Sequence, residues 1–326
     1  VLAATTPAVD DCTAWLQSMH SRSSRGRRHF SQGTQDGILE RIFNRIGTAN
    51  KQSVEFGFGY VKPGLTGQAL LRSNSGLNTR WLLEGRGWNA TFFDALVEDA
   101  TINLRRVVLS EANIVDSFLA ASVPREVDYV SIDVDSIDLW LFRALLQGGV
   151  YRPRVVSVEY NPNFNLTQLV SCGRIWRPWN GTAVLGASAA AINMVAEAHG
   201  YYAVHVMRWL DIFFVRKDIL LASCSPRSLP SFEAAAAGVV PARLHATCRP
   251  SEESHASEIK RLVDVPLELA GRHAEAVRKA REAVIAQNAY FRGAANGSSV
   301  KAWKKSCKVW DQDACKMYGV DVCELE

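Results

Sequence analysis

The sequence predicts an α/β domain on a mostly parallel sheet that closes with an antiparallel pair of strands, and three observations carry that expectation. Between residues 31 and 220, short apolar, β-branched runs alternate with longer stretches of helical periodicity, the pattern of parallel strands joined by crossover helices. The last two strand candidates are separated only by the few residues around 208–211. A parallel crossover needs about a dozen, so these two must form an antiparallel hairpin. The 326 residues, 48% hydrophobic and 21% charged, supply one sizeable core and a smaller appendage, which excludes a disordered chain and a coiled coil.

Strands are expected at 53–58, 91–94, 106–109, 127–134, 154–160, 201–206 and 212–216, each dominated by Val, Ile, Phe or Tyr. Helices are expected between them at 36–46, 77–84, 113–120, 137–146 and 188–199, where apolar residues recur at helical spacing. From Ala222 the character changes: Ser, Pro and Ala dominate up to Pro250, and no strand pattern survives. Leu267, Ala270, Ala274, Val277, Val284 and Phe291 then define one amphipathic helix suited to packing on the domain or on a partner protein. The stretch 300–326 carries Trp303, Trp310, Tyr318 and three cysteines and gives no structural reading. The expected organisation is an N-terminal arm over 1–30, the α/β domain over 31–221, and a linker with a helical, cysteine-containing extension over 222–326.

The charge balance, 37 Lys and Arg against 33 Asp and Glu, is too even to imply a nucleic-acid or membrane partner. The basic cluster Arg22, Arg25, Arg27 and Arg28 reads as a solvated arm or as a contact for an acidic partner surface. No apolar run is long enough for a transmembrane segment. The first ten residues, beginning at Val1, read like those that follow a removed targeting segment. Seven cysteines form no CxxC pair, and five lie after residue 220, a placement that suits one or two disulfides stapling a loose tail. With glycosylation sequons at Asn89, Asn165, Asn180 and Asn296, they lean toward the secretory pathway or an organelle lumen.

Chemistry concentrates at strand ends, where open α/β sheets bind ligands. Val54-Glu55-Phe56-Gly57-Phe58-Gly59 runs a strand into two glycines that let the backbone turn and approach a ligand, although alone it also reads as a structural turn. Phe92-Phe93-Asp94 ends the second strand in a carboxylate able to accept both hydroxyls of a ribose, or to cap a loop. The segment 129–138 delivers Asp133, Asp135 and Asp138 at one strand end, where three acids repel unless a cation, hydrogen-bond donors or a substrate hydroxyl compensates. Helix capping explains one of them, Asp135 or its neighbour Ser136 being the candidates. Glu159-Tyr160-Asn161 places a carboxylate and an amide on the following strand, beside those acids. The seven histidines show no metal-ligand spacing and no nucleophile partner, so they read as structural or solvent-exposed.

These segments together carry a resemblance. The chain resembles the FkbM-type, S-adenosylmethionine-dependent methyltransferases, in particular a eukaryotic branch of them, over roughly 31–220. The resembling residues include those at 31–38, 50–51, 54–57, 78–79, 87–88, 103–104, 113–114, 131–138, 151–156, 159–161, 186–188 and 213–216. The resemblance implies a class I methyltransferase-like, Rossmann-like sheet ending in an antiparallel hairpin, with S-adenosylmethionine as cofactor. Its contacts would come from Glu55, Gly57, Gly59, Asn78, Asp94, Asn113 and Asp133. Asp133, Asp135 and Glu159 would be the catalytic candidates, with Asp133 the general base or hydroxyl-orienting group, and no metal is expected. The implied acceptor is a hydroxylated small molecule or glycan.

The chain departs from that pattern near the expected cofactor site. Residues 60–76 intervene after the first strand, as a lid or as a filling of the cleft; Leu77 replaces a serine, and Ser136 stands where glycine is common. A catalytically degenerate fold serving as a structural subunit, with protein partners on the N-terminal arm and C-terminal helix, is the alternative. A nucleotide-sugar glycosyltransferase is a second, since Asp133-x-Asp135 imitates a metal-binding acid pair and would make activity metal-dependent.

Overall fold

The computed structural model describes residues 11–21, 27–59, 64–74, 76–177, 184–227, 229–237, 239–240 and 260–294, with side chains to residue 284 in the last of these. Arg22 and Arg25, the sequons at Asn180 and Asn296, and Cys248, Cys307, Cys315 and Cys323 lie outside the described residues.

A mixed α/β architecture results. Strands β1 (Gln52–Phe56), β2 (Asn89–Asp94), β3 (Leu104–Arg106), β4 (Tyr129–Ile132), β5 (Val155–Glu159), β7 (Tyr201–Val206) and β8 (Asp211–Arg216) form one seven-stranded sheet in the order β3-β2-β1-β4-β5-β8-β7. The first five are mutually parallel, and β8 runs antiparallel to both β5 and β7. The chain leaves β1 toward β2 and later returns to β4 on its other side, so the β1–β4 boundary is the point where strand order reverses.

Side-chain alternation explains why β4 and β5 are buried on both faces. Val130, Ile132, Val156 and Val158 point into a core with Phe118, Trp140, Phe142 and Ile192, supplied by α5 (Ile114–Ala120), α6 (Asp138–Leu146) and α7 (Ala189–Ala198). Tyr129, Val155, Phe213 and Val215 face a second core with Leu16, Met19, Leu39, Phe43 and Trp81, from α1 (Thr13–His20), α2 (Gln35–Ile46) and α4 (Arg80–Arg86). Entry into β1 is fixed by Asp128, whose buried carboxylate accepts the backbone N–H groups of Ala49, Asn50 and Lys51 and pairs with Arg154.

Several expectations are corrected. The third strand lies at Leu104–Arg106, earlier than 106–109, because Leu104 rather than Val107 continues the pairing with Phe92. Residues 11–21 are not a free arm: α1 buries Leu16 and Met19, and Cys12 forms a disulfide with Cys224 at the end of α8 (Lys217–Ser223). That bond joins the two ends of the domain, and Cys172 is a buried thiol; a disulfide within the tail would fall on cysteines outside the described residues. Part of the intervening segment 60–76 is α3 (Gly67–Ser73), whose Leu70 and Leu71 pack with Phe58, Phe92 and Leu104 against the β2–β3 edge.

The C-terminal part also holds a strand that no sequence pattern announced. β9 (Leu262–Asp264) pairs antiparallel with β6 (Val170–Cys172), a second small sheet. The single amphipathic helix expected beyond it is two, α10 (Val265–Leu269) and α11 (His273–Ala294), broken where Gly271 adopts φ +75°. Between α8 and β9 lies a short α9 (Phe232–Ala236), capped by the Ser231 side chain on the Ala234 N–H.

Candidate functional site

The carboxyl ends of β4 and β5 gather the acids. Ser131 pairs with Ser157 and Ile132 with Val158, so one step beyond the ladder Asp133 comes level with Glu159, which in turn pairs with Asp211 on β8. The loop after β4 is held from three sides. Asp138, at the start of α6, accepts the N–H groups of Val134 and Ser136; Gly186 donates its N–H to the Asp135 carbonyl; and Gly57 lies against the Asp133 carbonyl. Asp138 thus ties down the loop before α6, and the helix has no side-chain cap from Asp135 or Ser136; Asp135, at φ +59°, lies beside Asp133 and Glu159.

Asp133, Asp135 and Glu159 each offer one carboxylate oxygen, and these oxygens lie within 4.8 Å of one another. The three residues are half-buried, each retaining some accessible surface. Oε2 of Glu159 is buried without a hydrogen-bond partner. Among the described residues, no ion pair involves these three acids or Glu55, Asp138 or Asp211.

Electrostatics follow from partial burial and from the crowding of acids. Burial, and then the charges of Asp135, Asp211, Asp138 and Glu55, hold the Asp133 carboxyl well above the usual range. Glu159 is raised likewise, by burial and then by Asp133, Asp135, Asp138 and Asp211. Burial lifts Asp135 to about 6 and Asp211 to about 6, the latter despite the Gln35 amide that donates to it at 3.0 Å.

Neither a family model nor a curated protein matches this chain.

The remaining candidate residues divide into two groups. Gly57 and Gly59 are exposed at the end of β1, both at positive φ, and a Cβ at Gly59 would meet nothing closer than 3.8 Å. Asp94, at the end of β2, uses Oδ1 to accept the N–H groups of Leu96 and Val97, and its other oxygen makes no hydrogen bond among the described residues. These three fit a ligand crossing the carboxyl ends of β1 and β2.

Glu55, Asn113 and the amide nitrogen of Asn78 are engaged inside the fold. Both Glu55 oxygens are used, one by the Asn78 N–H and the other by the N–H and hydroxyl of Thr79, so this acid anchors the entry to α4. Burial raises Glu55 to about 7 against those lowering hydrogen bonds. The Asn78 amide donates to Ser131, which also receives the Ser157 hydroxyl, and Oδ1 of Asn78 is buried without a partner. Asn113 accepts from the Ser110 N–H and donates to the Val108 carbonyl, closing its own turn.

Asp211 and Gln35 went unread in the sequence as site residues. Asp211 sits at a strand start, with no motif of its own, and only the antiparallel pairing of β8 with β5 brings it to the acids. Elsewhere, a groove of about 680 Å³ opens beside α3, α4 and the start of β2, lined by Arg72, Glu84, Trp88 and Phe92 among others. It contains none of the acids.

Chemically, the site combines carboxyl groups whose pKa values are raised by burial and mutual repulsion with an adjacent ledge of exposed backbone and, at Asp94, a carboxylate oxygen with no hydrogen bond among the described residues. Such groups can accept a proton from a hydroxyl, orient it, or share a cation.

Proposed function

We propose that this chain is an S-adenosylmethionine-dependent O-methyltransferase acting on a hydroxylated small molecule or glycan. The observation that carries the reading is the position of Asp133 and Glu159: at the carboxyl ends of β4 and β5, across the strand-order reversal from Gly57, Gly59 and Asp94, in a sheet whose β8 is reversed. A parallel sheet finishing in such an antiparallel pair is the arrangement of the seven-stranded methyltransferases that the sequence resembles.

In this reading, Asp94 accepts the ribose hydroxyls and the β1 turn at Gly57 and Gly59 gives the cofactor room against backbone. The bound cofactor supplies an electrophilic methyl group on sulfur. Asp133, beside Asp135 and Glu159, is the group placed to take or orient the acceptor's hydroxyl proton. The enclosing loop fixes the acceptor oxygen, where orientation contributes as much as basicity.

Isothermal titration with S-adenosylmethionine and S-adenosylhomocysteine tests the proposal. Micromolar binding, weakened roughly tenfold to a hundredfold in Asp94→Ala, is the expected result. No binding at millimolar cofactor by folded protein overturns it in favour of a catalytically degenerate fold. The bonds of Glu55, Asn78 and Asn113 to groups within the fold support that second reading, because these side chains, expected at the cofactor, are committed to one another and to their own turns.

A further inference from the structure

We propose that Asp133, Asp135 and Glu159 bind one divalent cation of the hard, oxygen-preferring kind, Mg²⁺, Ca²⁺ or Mn²⁺. Their three oxygens lie within 4.8 Å of one another. Two oxygens on the same ion, each roughly 2.1–2.4 Å from it, stand about 3 Å apart when adjacent and just under 5 Å when opposite. The observed spacing thus falls inside a single coordination sphere.

An independent observation points to the same ligand. Oε2 of Glu159 is buried and has no hydrogen-bond partner, and it belongs to the acid level with Asp133 at this edge. An enclosed carboxylate oxygen has lost its water, and here no protein donor replaces it.

Other buried acids draw donors from the fold. Asp128 receives backbone N–H groups and Arg154; Asp138 receives two N–H groups; Oδ2 of Asp36 receives the N–H groups of His29, Phe30 and Ser31, although its Oδ1 is buried without a partner among the described residues. Among the described residues no such donor reaches Asp133 or Asp135, and Asp138, Asp211 and Glu55 stand close enough to add repulsion. A doubly charged cation supplies the missing compensation. The donor set contains only oxygen, with no His or Cys, which selects hard cations over zinc or copper. Three protein ligands leave further coordination positions for water or for an acceptor oxygen, whose hydroxyl the cation would acidify. That last consequence rests on the methyl-transfer reading; the cation site itself does not.

The test titrates Mn²⁺ into the cofactor-free full chain, reading free Mn²⁺ by electron paramagnetic resonance, with Mg²⁺ and Ca²⁺ as competitors. One saturable site per chain is expected, weakened roughly tenfold or more in Glu159→Gln and in Asp135→Asn. Each substitution removes one of several mutually repelling charges, and Asn tolerates the backbone of Asp135. Both variants should therefore melt at or above the unsubstituted chain in chelator-treated buffer, which separates lost binding from lost folding. No saturable binding at millimolar Mn²⁺, or unchanged affinity in both variants, overturns the proposal. The S-adenosylmethionine titration is read separately, so failure of either proposal leaves the other standing.

Discussion

Gly57 holds φ +70°, and a Cβ built there would lie 2.1 Å from the carbonyl oxygen of Asp133. A side chain at this position collides with the loop that carries the acids before it meets any ligand. Gly57→Ala should therefore lower stability by roughly 1–3 kcal/mol in urea unfolding, and reduced ligand binding in that variant would follow from the displaced loop. Glu55→Ala orphans three buried donors on Asn78 and Thr79 and should destabilise by roughly 1–3 kcal/mol or more. The raised carboxyls also set a pH dependence. Glu55 and Asp138 at about 7 hold their protons more tightly in the folded chain than in the unfolded one, where a carboxyl stands near 4. Their contribution is complete below the unfolded value and is lost as pH rises through the folded one. In chelator-treated buffer the thermal midpoint should fall as pH is raised from about 5 to about 8, and a midpoint rising across that window would contradict the burial assigned to these groups.

Helix α1 and the end of α8 are linked by the Cys12–Cys224 bond, which spans a sequence separation of 212 residues. Constraining so long a loop in the unfolded chain is worth on the order of 5 kcal/mol in the loop-entropy account. Leu16 and Met19, wholly buried on α1, add burial of roughly 1.5–3 kcal/mol each. Cys12→Ser should lower the thermal midpoint by several degrees without altering a cation titration, since the acids lie on β4 and β5 rather than on α1. The His20 ring meets the Ala203 carbonyl and the His205 ring meets the Met19 carbonyl, so α1 is tied to β7 by polar contacts as well as by apolar burial.

Across the molecule, the two sheets depend on segments far apart in sequence. β9 supplies the partner of β6, and α11 covers it with Ala280 and Val284 against Val170, Cys172 and Leu262. A chain ending after residue 240 would expose that cluster and leave β6 unpaired, so it should be less soluble and less stable than the full chain, as read by light scattering and thermal melting. The same long-range assembly builds the candidate site: β4, β5 and β8 come from separate stretches, and Gln35 reaches Asp211 from α2.

Most strands of the main sheet, the five helices expected beside it and the acids at 133, 135 and 159 were legible in the sequence, because continuous apolar runs must be buried and like charges at one strand end demand compensation. β6 and β9 were not, being three residues each and stabilised only by their pairing with one another. The roles of Glu55, Asn78 and Asn113 were not legible either, since an Asp, Glu or Asn at a strand or helix end has the same composition whether it faces a ligand or closes a turn. Local periodicity determined which segments became strands and helices. Only the tertiary structure decided that Asp138 ties the loop before α6 while Asp135 joins Asp133 and Glu159, that Asp211 joins the acids, and that Glu159 keeps a buried oxygen unmatched among the described residues, because each depends on how loops and neighbouring strands come together.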